Sequence, residues 1–193
     1  MNDVDLVNEA LVMLGEKKVA SLADETPQAI AASTVIDTVK KSMLEEFVWN
    51  FALKWIELTN NVTNILNPEY DYEFTKSIDM IRVIDVRTVT NTPVFWKVES
   101  NKILTKVHHT IRVKYIENLP ANFYPPTYAK AVAARIALEI ANTIREDIQL
   151  VEFLDGQYQR FLMRARHLDS LEGDFQSIIP DENSSYLRAR SRY

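Results

Sequence analysis

Residues 125–172 read PPTYAKAVAARIALEIANTIREDIQLVEFLDGQYQRFLMRARHLDSLE, and the period of this stretch decides the fold. In its first half Val132, Ile136, Ile140 and Ile144 fall four apart, with Ala133, Ala137 and Ala141 beside them. Apolar residues at that spacing line one face of a helix, and the alanines let a second helix come close. In the second half Val151, Leu154, Tyr158, Phe161, Leu162, Ala165 and Leu168 mark a face, while Arg160, Arg164, Arg166 and Asp169 occupy the other sides. Asp147 is placed to cap the second helix and Gly173 to stop it. The plain reading is a helical hairpin at the core, on which the rest of the chain packs.

Working outward, the N-terminal third carries the same signals. Asn2 or Asp3 can cap a helix whose face is Val4, Val7, Ala10, Leu11 and Leu14, with Gly15 as its left-handed stop. Thr26-Pro27 pairs a hydroxyl cap with a proline at the first helical position. The helix behind it places Ala32, Val35 or Ile36, Val39, Met43 and Phe47 on one side and runs to about Trp49. Near Asn50 the period drops to two. Phe51 to Thr59, then Tyr70, Tyr72 and Phe74, read as strands separated by an Asn-rich loop from Asn60 and Asn61 to Asn67-Pro68. A β-branched run, Ile81 to Val89, follows. Val94–Val98 and Lys102–Thr105 then flank Glu99-Ser100-Asn101, a hairpin with Asn in its turn, and Thr110 to Ile116 alternates again.

The fold class is therefore α+β, mainly α: a helical bundle of two helical hairpins with a small antiparallel β-sheet inserted between them. Residues 1–49 and 119–173 form the bundle, residues 50–118 the inserted β subdomain, and residues 174–193 an extended C-terminal arm.

Composition narrows the function. The chain has 193 residues, 47% hydrophobic and 25% charged, an ordinary globular balance. With 3 glycines there is no phosphate-cradling loop, and with no cysteine there is no thiolate nucleophile or cysteine-based metal site. A net charge of −5 weighs against a dedicated nucleic-acid binder. The acidic opening predicts no signal peptide, and no apolar run reaches the ~18 residues of a membrane span.

Candidate chemistry is sparse. His108 and His109 are adjacent in a predicted strand and point to opposite faces, and His167 has no ligand partner one helical turn before it. Glu45-Glu46 and Asp24-Glu25 are paired carboxylates, but neighbours on a helix diverge, whereas glycoside hydrolysis needs two about 5–9.5 Å apart. Trp49, Trp55 and Trp96 read as packing at the sheet and its junction with the helices. No catalytic, cofactor-binding or metal-binding residue is assigned, and the chain is expected not to be an enzyme. The arm stands out, because Ser185-Tyr186-Leu187-Arg188, Arg190, Arg192 and Tyr193 combine the residue types that dominate binding hot spots.

An ordered series of segments resembles the tail tubular protein A, or head-to-tail connector adaptor, family of short-tailed phages. It begins with Asn8–Gly15 and Val19–Leu22 and continues through Phe47–Ala52, Tyr70–Tyr72, Ile78–Val83, Trp96–Glu99 and Ile111–Ile116. It closes with Ala134–Ala137, Tyr158, Ala165-Arg166 and Ser184–Arg190. One departure is Asn101, where the family often has glycine; Asn tolerates positive φ there.

The resemblance implies a structural virion protein, assembled in the host cytoplasm and located at the head-to-tail interface of the tail. It implies a dodecameric ring of identical copies, joined to a portal protein above and a tail nozzle protein below, with genomic DNA passing through without specific binding. On that basis the arm residues Ser185, Tyr186, Leu187, Arg188, Arg190, Arg192 and Tyr193 are expected at the portal. Asn60, Asn61, Asn67, Glu99, Ser100 and Asn101 are expected at the nozzle. Some related adaptors are described as cell-wall hydrolases, which is the alternative reading; a DNA-terminus-binding module is a third.

Overall fold

The computed structural model describes residues 1–59, 61–63, 67–107, 109–144 and 147–173. Over these residues it is α+β, with four α-helices and two small antiparallel sheets. The helices are α1 (Asp3–Met13), α2 (Pro27–Glu46), α3 (Pro126–Ile144) and α4 (Ile148–Leu171). The starts of α1, α2 and α4 are set by side chains that satisfy the first, unpaired N–H groups. Asn2 and Asp5 exchange side-chain-to-backbone bonds, both 2.8 Å, in a reciprocal capping box. Thr26 Oγ1 accepts the Ala29 N–H at 3.3 Å with Pro27 next to it, and Asp147 accepts from Gln149 and Leu150 at 3.0 and 3.2 Å. Each such cap contributes about 1 kcal/mol.

Gly15 ends α1 at φ 70°, the left-handed stop its position predicts. Gly173 has a different job. Its φ is not positive, and a Cβ there would come within 3.3 Å of the Asn50 amide nitrogen, so its smallness makes room rather than a turn.

α3 is the centre of the helical core. Val132, Ala133, Ile136, Ala137, Ile140 and Ala141 are all buried, and α1, α2 and α4 each pack on this helix. α1 and α2 meet each other only sparsely, although ion and amide bonds tie their ends: Lys40 to Asp3 at 2.9 Å and Gln28 to Glu16 at 3.1 Å. At the exit of α2 the chain makes an aromatic joint. Trp49 is fully buried, donates from Nε1 to the Met43 carbonyl at 2.8 Å, and meets Phe47, Phe51 and Tyr128 at centroid distances of 5.0, 5.8 and 4.7 Å.

The strands correct one expectation. Instead of one inserted sheet there are two. The strands are β1 (Leu53–Leu58), β2 (Asn61–Thr63), β3 (Tyr72–Thr75), β4 (Met80–Thr88), β5 (Trp96–Glu99), β6 (Lys102–Thr105) and β7 (Ile111–Glu117). They sort into a three-stranded sheet, β1-β7-β4, and a four-stranded sheet, β2-β3-β6-β5. Part of the Asn-rich segment is thus strand, since β2 pairs with β3 at a sheet edge. The strand expected from Phe51 begins two residues later, after a single 3₁₀ turn at Asn50–Ala52.

The three-stranded sheet serves two cores, because successive side chains of a strand point to opposite faces. Leu53, Ile81, Ile84 and Ile116 pack into the helical core. Val83, Val86, Ile111, Val113 and Tyr115 pack into a second core with Phe74 and Ile103 of the other sheet. Register shifts in β4, between Met80 and Arg82 and between Val83 and Asp85, let that one strand feed both. The arm, residues 174–193, lies outside the described residues.

Candidate interaction surfaces

The β5–β6 turn is built by two consecutive residues at positive φ, Ser100 at 45° and Asn101 at 63°. That is the geometry whose twist matches a tight hairpin, and Asn adopts it at low cost. The turn is stitched to its surroundings, because the Lys76 N–H donates to the Asn101 carbonyl at 3.1 Å. Beside it Glu99 receives the Lys97 ammonium at 2.6 Å and the Asn67 amide at 3.3 Å. The Lys97 partner holds the Glu99 carboxyl below its ordinary range, and Glu99 raises Lys97 in return. Lys102 bonds Glu73 and the Thr75 hydroxyl, both at 3.2 Å.

Asn67, Pro68, Glu73, Glu99, Ser100, Lys102 and Leu104 together line a shallow cavity of about 310 Å³. Three of the six residues expected at the nozzle, Asn67, Glu99 and Ser100, therefore gather at one site, and the exposed Asn101 adjoins it. Asn61 opens β2 opposite Phe74 in the same sheet. Asn60 and all seven arm residues expected at the portal lie outside the described residues.

A second surface was not expected from the sequence. Between β4 and β5 the chain is braced by a small polar network: Arg87 to Asp85 at 2.6 Å and to Asn91 at 3.1 Å, and Thr88 to Thr90 at 2.8 Å. Asn91 takes φ 66°, and the Val94 N–H returns to the Val86 carbonyl at 3.0 Å. This loop presents Phe95 with 89% of its surface in solvent. Ile78, in the turn before β4, is 93% exposed. The signal available in the sequence was a large apolar residue beside turn-forming neighbours, Ser77 and Asp79 in one case and Pro93 in the other. Trp55 also departs from its expected packing role. It is half-exposed on the three-stranded sheet, with the Arg87 guanidinium and Lys114 ammonium each 6.0 Å from its ring.

The paired carboxylates do not meet in a cleft. Glu45 and Glu46 are both exposed at the end of α2, where Glu46 faces Arg166 at 3.6 Å and the Glu45 carbonyl accepts from Arg82 at 2.7 Å. Asp24 spends its carboxylate on the Ala20 and Ser21 N–H groups, both at 3.0 Å, and Glu25 is exposed. His109 and His167 are exposed, and His108 lies outside the described residues. Among the described residues no three His, Asp or Glu side chains come close enough to hold a metal ion, and no helix is long and apolar enough to cross a membrane.

Among the described residues, the one deeply placed carboxylate is Asp169. Burial raises its pKa, opposed by backbone N–H groups of Asn50 and Phe51, so it acts as a structural clasp between α4 and the aromatic joint. No family model matches the chain, and no curated protein matches it either.

Proposed function

We propose that this chain is a head-to-tail connector adaptor of a short-tailed phage: a structural virion protein that forms a dodecameric ring between the portal and the tail nozzle and encloses part of the DNA conduit. Residues 1–49 and 119–173 are the ring wall, built as a bundle of two helical hairpins. Residues 50–118 are an inserted β subdomain directed at the nozzle, and residues 174–193 an arm that reaches the portal. The reading rests on the ordered series of segments quoted above. The structural observation that supports it best is Phe95, a large apolar side chain held out in solvent by a hydrogen-bonded loop. An exposed aromatic on a braced support suits a contact with another protein.

The net charge of −5 suits passage of DNA. A basic bore would hold phosphates through counterion release and resist their movement. Electron microscopy of the protein mixed with its portal tests the proposal. A ring of twelve copies bound below the portal is the expected result, and a portal that stays bare at saturating protein refutes it. The alternative, a cell-wall hydrolase, predicts lysis of purified peptidoglycan in a zymogram that disappears in Glu45→Gln or Glu46→Gln; no lysis is expected.

A further inference from the structure

The outer face of α4 carries a pattern that the chain's own fold does not use. Phe153, Gly156, Arg160, Met163, Arg164, His167 and Leu171 follow one another at helical spacing, and the large apolar members are exposed, Met163 by 62%. The charged side chains within this arc are Arg160 and Arg164, and the carboxylate of Glu152 lies at its edge, one turn before Gly156. Gly156 sits within it, and a Cβ placed there would meet nothing within 4 Å. A glycine inside a helix destabilises it relative to alanine. No neighbour among the described residues requires its smallness, so the glycine suits a second helix approaching from outside. At the edge of the face a groove of about 210 Å³ opens between α3 and α4, floored by Pro126, Thr127 and Phe161 and rimmed by the cations Lys130 and Arg164.

A matching face exists on α1. Asp5, Glu9 and Val12 are spaced four and three apart within α1, so they share one side of the helix, with Val12 55% exposed beside two carboxylates. Charge and apolar content are therefore complementary: acids around a valine on α1, bases around Phe153 and Met163 on α4. The two faces cannot meet within one chain, because α1 and α4 both pack on α3 and hardly on each other.

We propose that α1 of a second copy docks on the outer face of α4, Val12 entering beside Gly156 and Met163 while Asp5 and Glu9 meet Arg160, Arg164 and Lys130. The contact joins two different surfaces, so it is head-to-tail and propagates into a closed ring or a filament. It rests on the ring reading above and names the surfaces that would make the ring.

The absence of cysteine from the chain makes the test direct. Val12→Cys and Met163→Cys chains are treated with a short bismaleimide at high protein concentration, with Thr90→Cys as the exposed control. The double variant is expected to give a ladder of crosslinked species and the mixed single variants a dimer, with neither single variant crosslinking above the control. Self-crosslinking of one single variant, or no crosslinking in the mixture, overturns the proposal. Arg164→Glu added to the Met163→Cys chain lowers the mixed dimer about tenfold, and Glu9→Lys in the Val12→Cys chain restores it. Unchanged yield, or loss without rescue, also overturns it. Because crosslinking reads this chain alone, a ladder without portal binding would refute the adaptor role and keep the contact, whereas a portal-bound ring without the ladder would do the reverse.

Discussion

The backbone N–H of Asn50 donates to both carboxylate oxygens of Asp169, each at 3.0 Å, while the Asn50 side-chain amide donates to the Asp169 carbonyl at 2.7 Å. A residue near the end of the last helix thus fastens the point where the second helix gives way to the sheets. Asp169→Ala leaves the Asn50 N–H without its acceptor in a mostly buried place, while the bond from the Asn50 amide to the backbone carbonyl is kept. The expected loss is about 2–3 kcal/mol, read as a lower urea midpoint at unchanged slope.

Asp169 also sets a pH dependence. Burial raises its folded-state pKa above the ordinary 3.8, so between those two values the folded chain holds a proton that the unfolded chain has released. Its contribution therefore makes the protein more stable as pH falls through the raised value, and the gain is complete below 3.8. Asp169→Asn removes the titration. Subtracting its denaturation profile from that of the parent should show a stability difference that shifts in the parent's favour towards acid pH; a flat difference contradicts the assignment.

Trp49 is the largest fully buried side chain and its indole N–H is bonded. Trp49→Ala empties the aromatic joint and strands the Met43 carbonyl, at about 3–5 kcal/mol, which lowers Tm by roughly 10 °C or more in a calorimetric scan. Trp49→Phe should cost less, because the ring contacts with Phe47 and Tyr128 partly survive.

The tip turn responds to backbone geometry alone. Ser100→Gly and Asn101→Gly relieve positive φ and should leave stability unchanged or raise it by up to about 1 kcal/mol. Asn101→Val places a β-branched residue there and should cost about 1–2 kcal/mol by chemical denaturation.

Removal of residues 184–193 tests the arm. Circular dichroism should keep its helical signal while the truncated chain no longer joins the portal. Normal yields of infectious particles from the truncated form would show that the arm is dispensable.

Much of the fold was legible because its signals are local. Thr26-Pro27, Asp147 and Gly15 announce helix ends through bonds made within a few residues, and Ser100-Asn101 announces its turn in the same way. The partners of the strands were not legible. Alternation shows that Tyr72 and Ile103 belong to strands, but nothing in it says that β3 joins β6 while β1 joins β7. Likewise the stripe on α1 shows a buried side without showing that α3, rather than α2, covers it. At the candidate surfaces, Asn67 and Glu99 lie 32 positions apart and meet only through the pairing of their sheet. Phe95 and Ile78 were missed because exposure of an apolar residue depends on what fails to cover it.

The pairing of Leu53 with Ile116 has a consequence for how the chain folds. The β segment leaves the helices and returns to them at adjacent positions, so its two ends are zipped together by β1 and β7. Without that zipper, bringing α3 onto α1 and α2 would close a loop of some 60 residues; with it, the effective loop shrinks to a few. The difference in closure entropy is about 2 kcal/mol. Assembly of the β1–β7 ladder therefore favours docking of the helices, and a change that weakens this ladder slows formation of the helical core while touching none of its side chains.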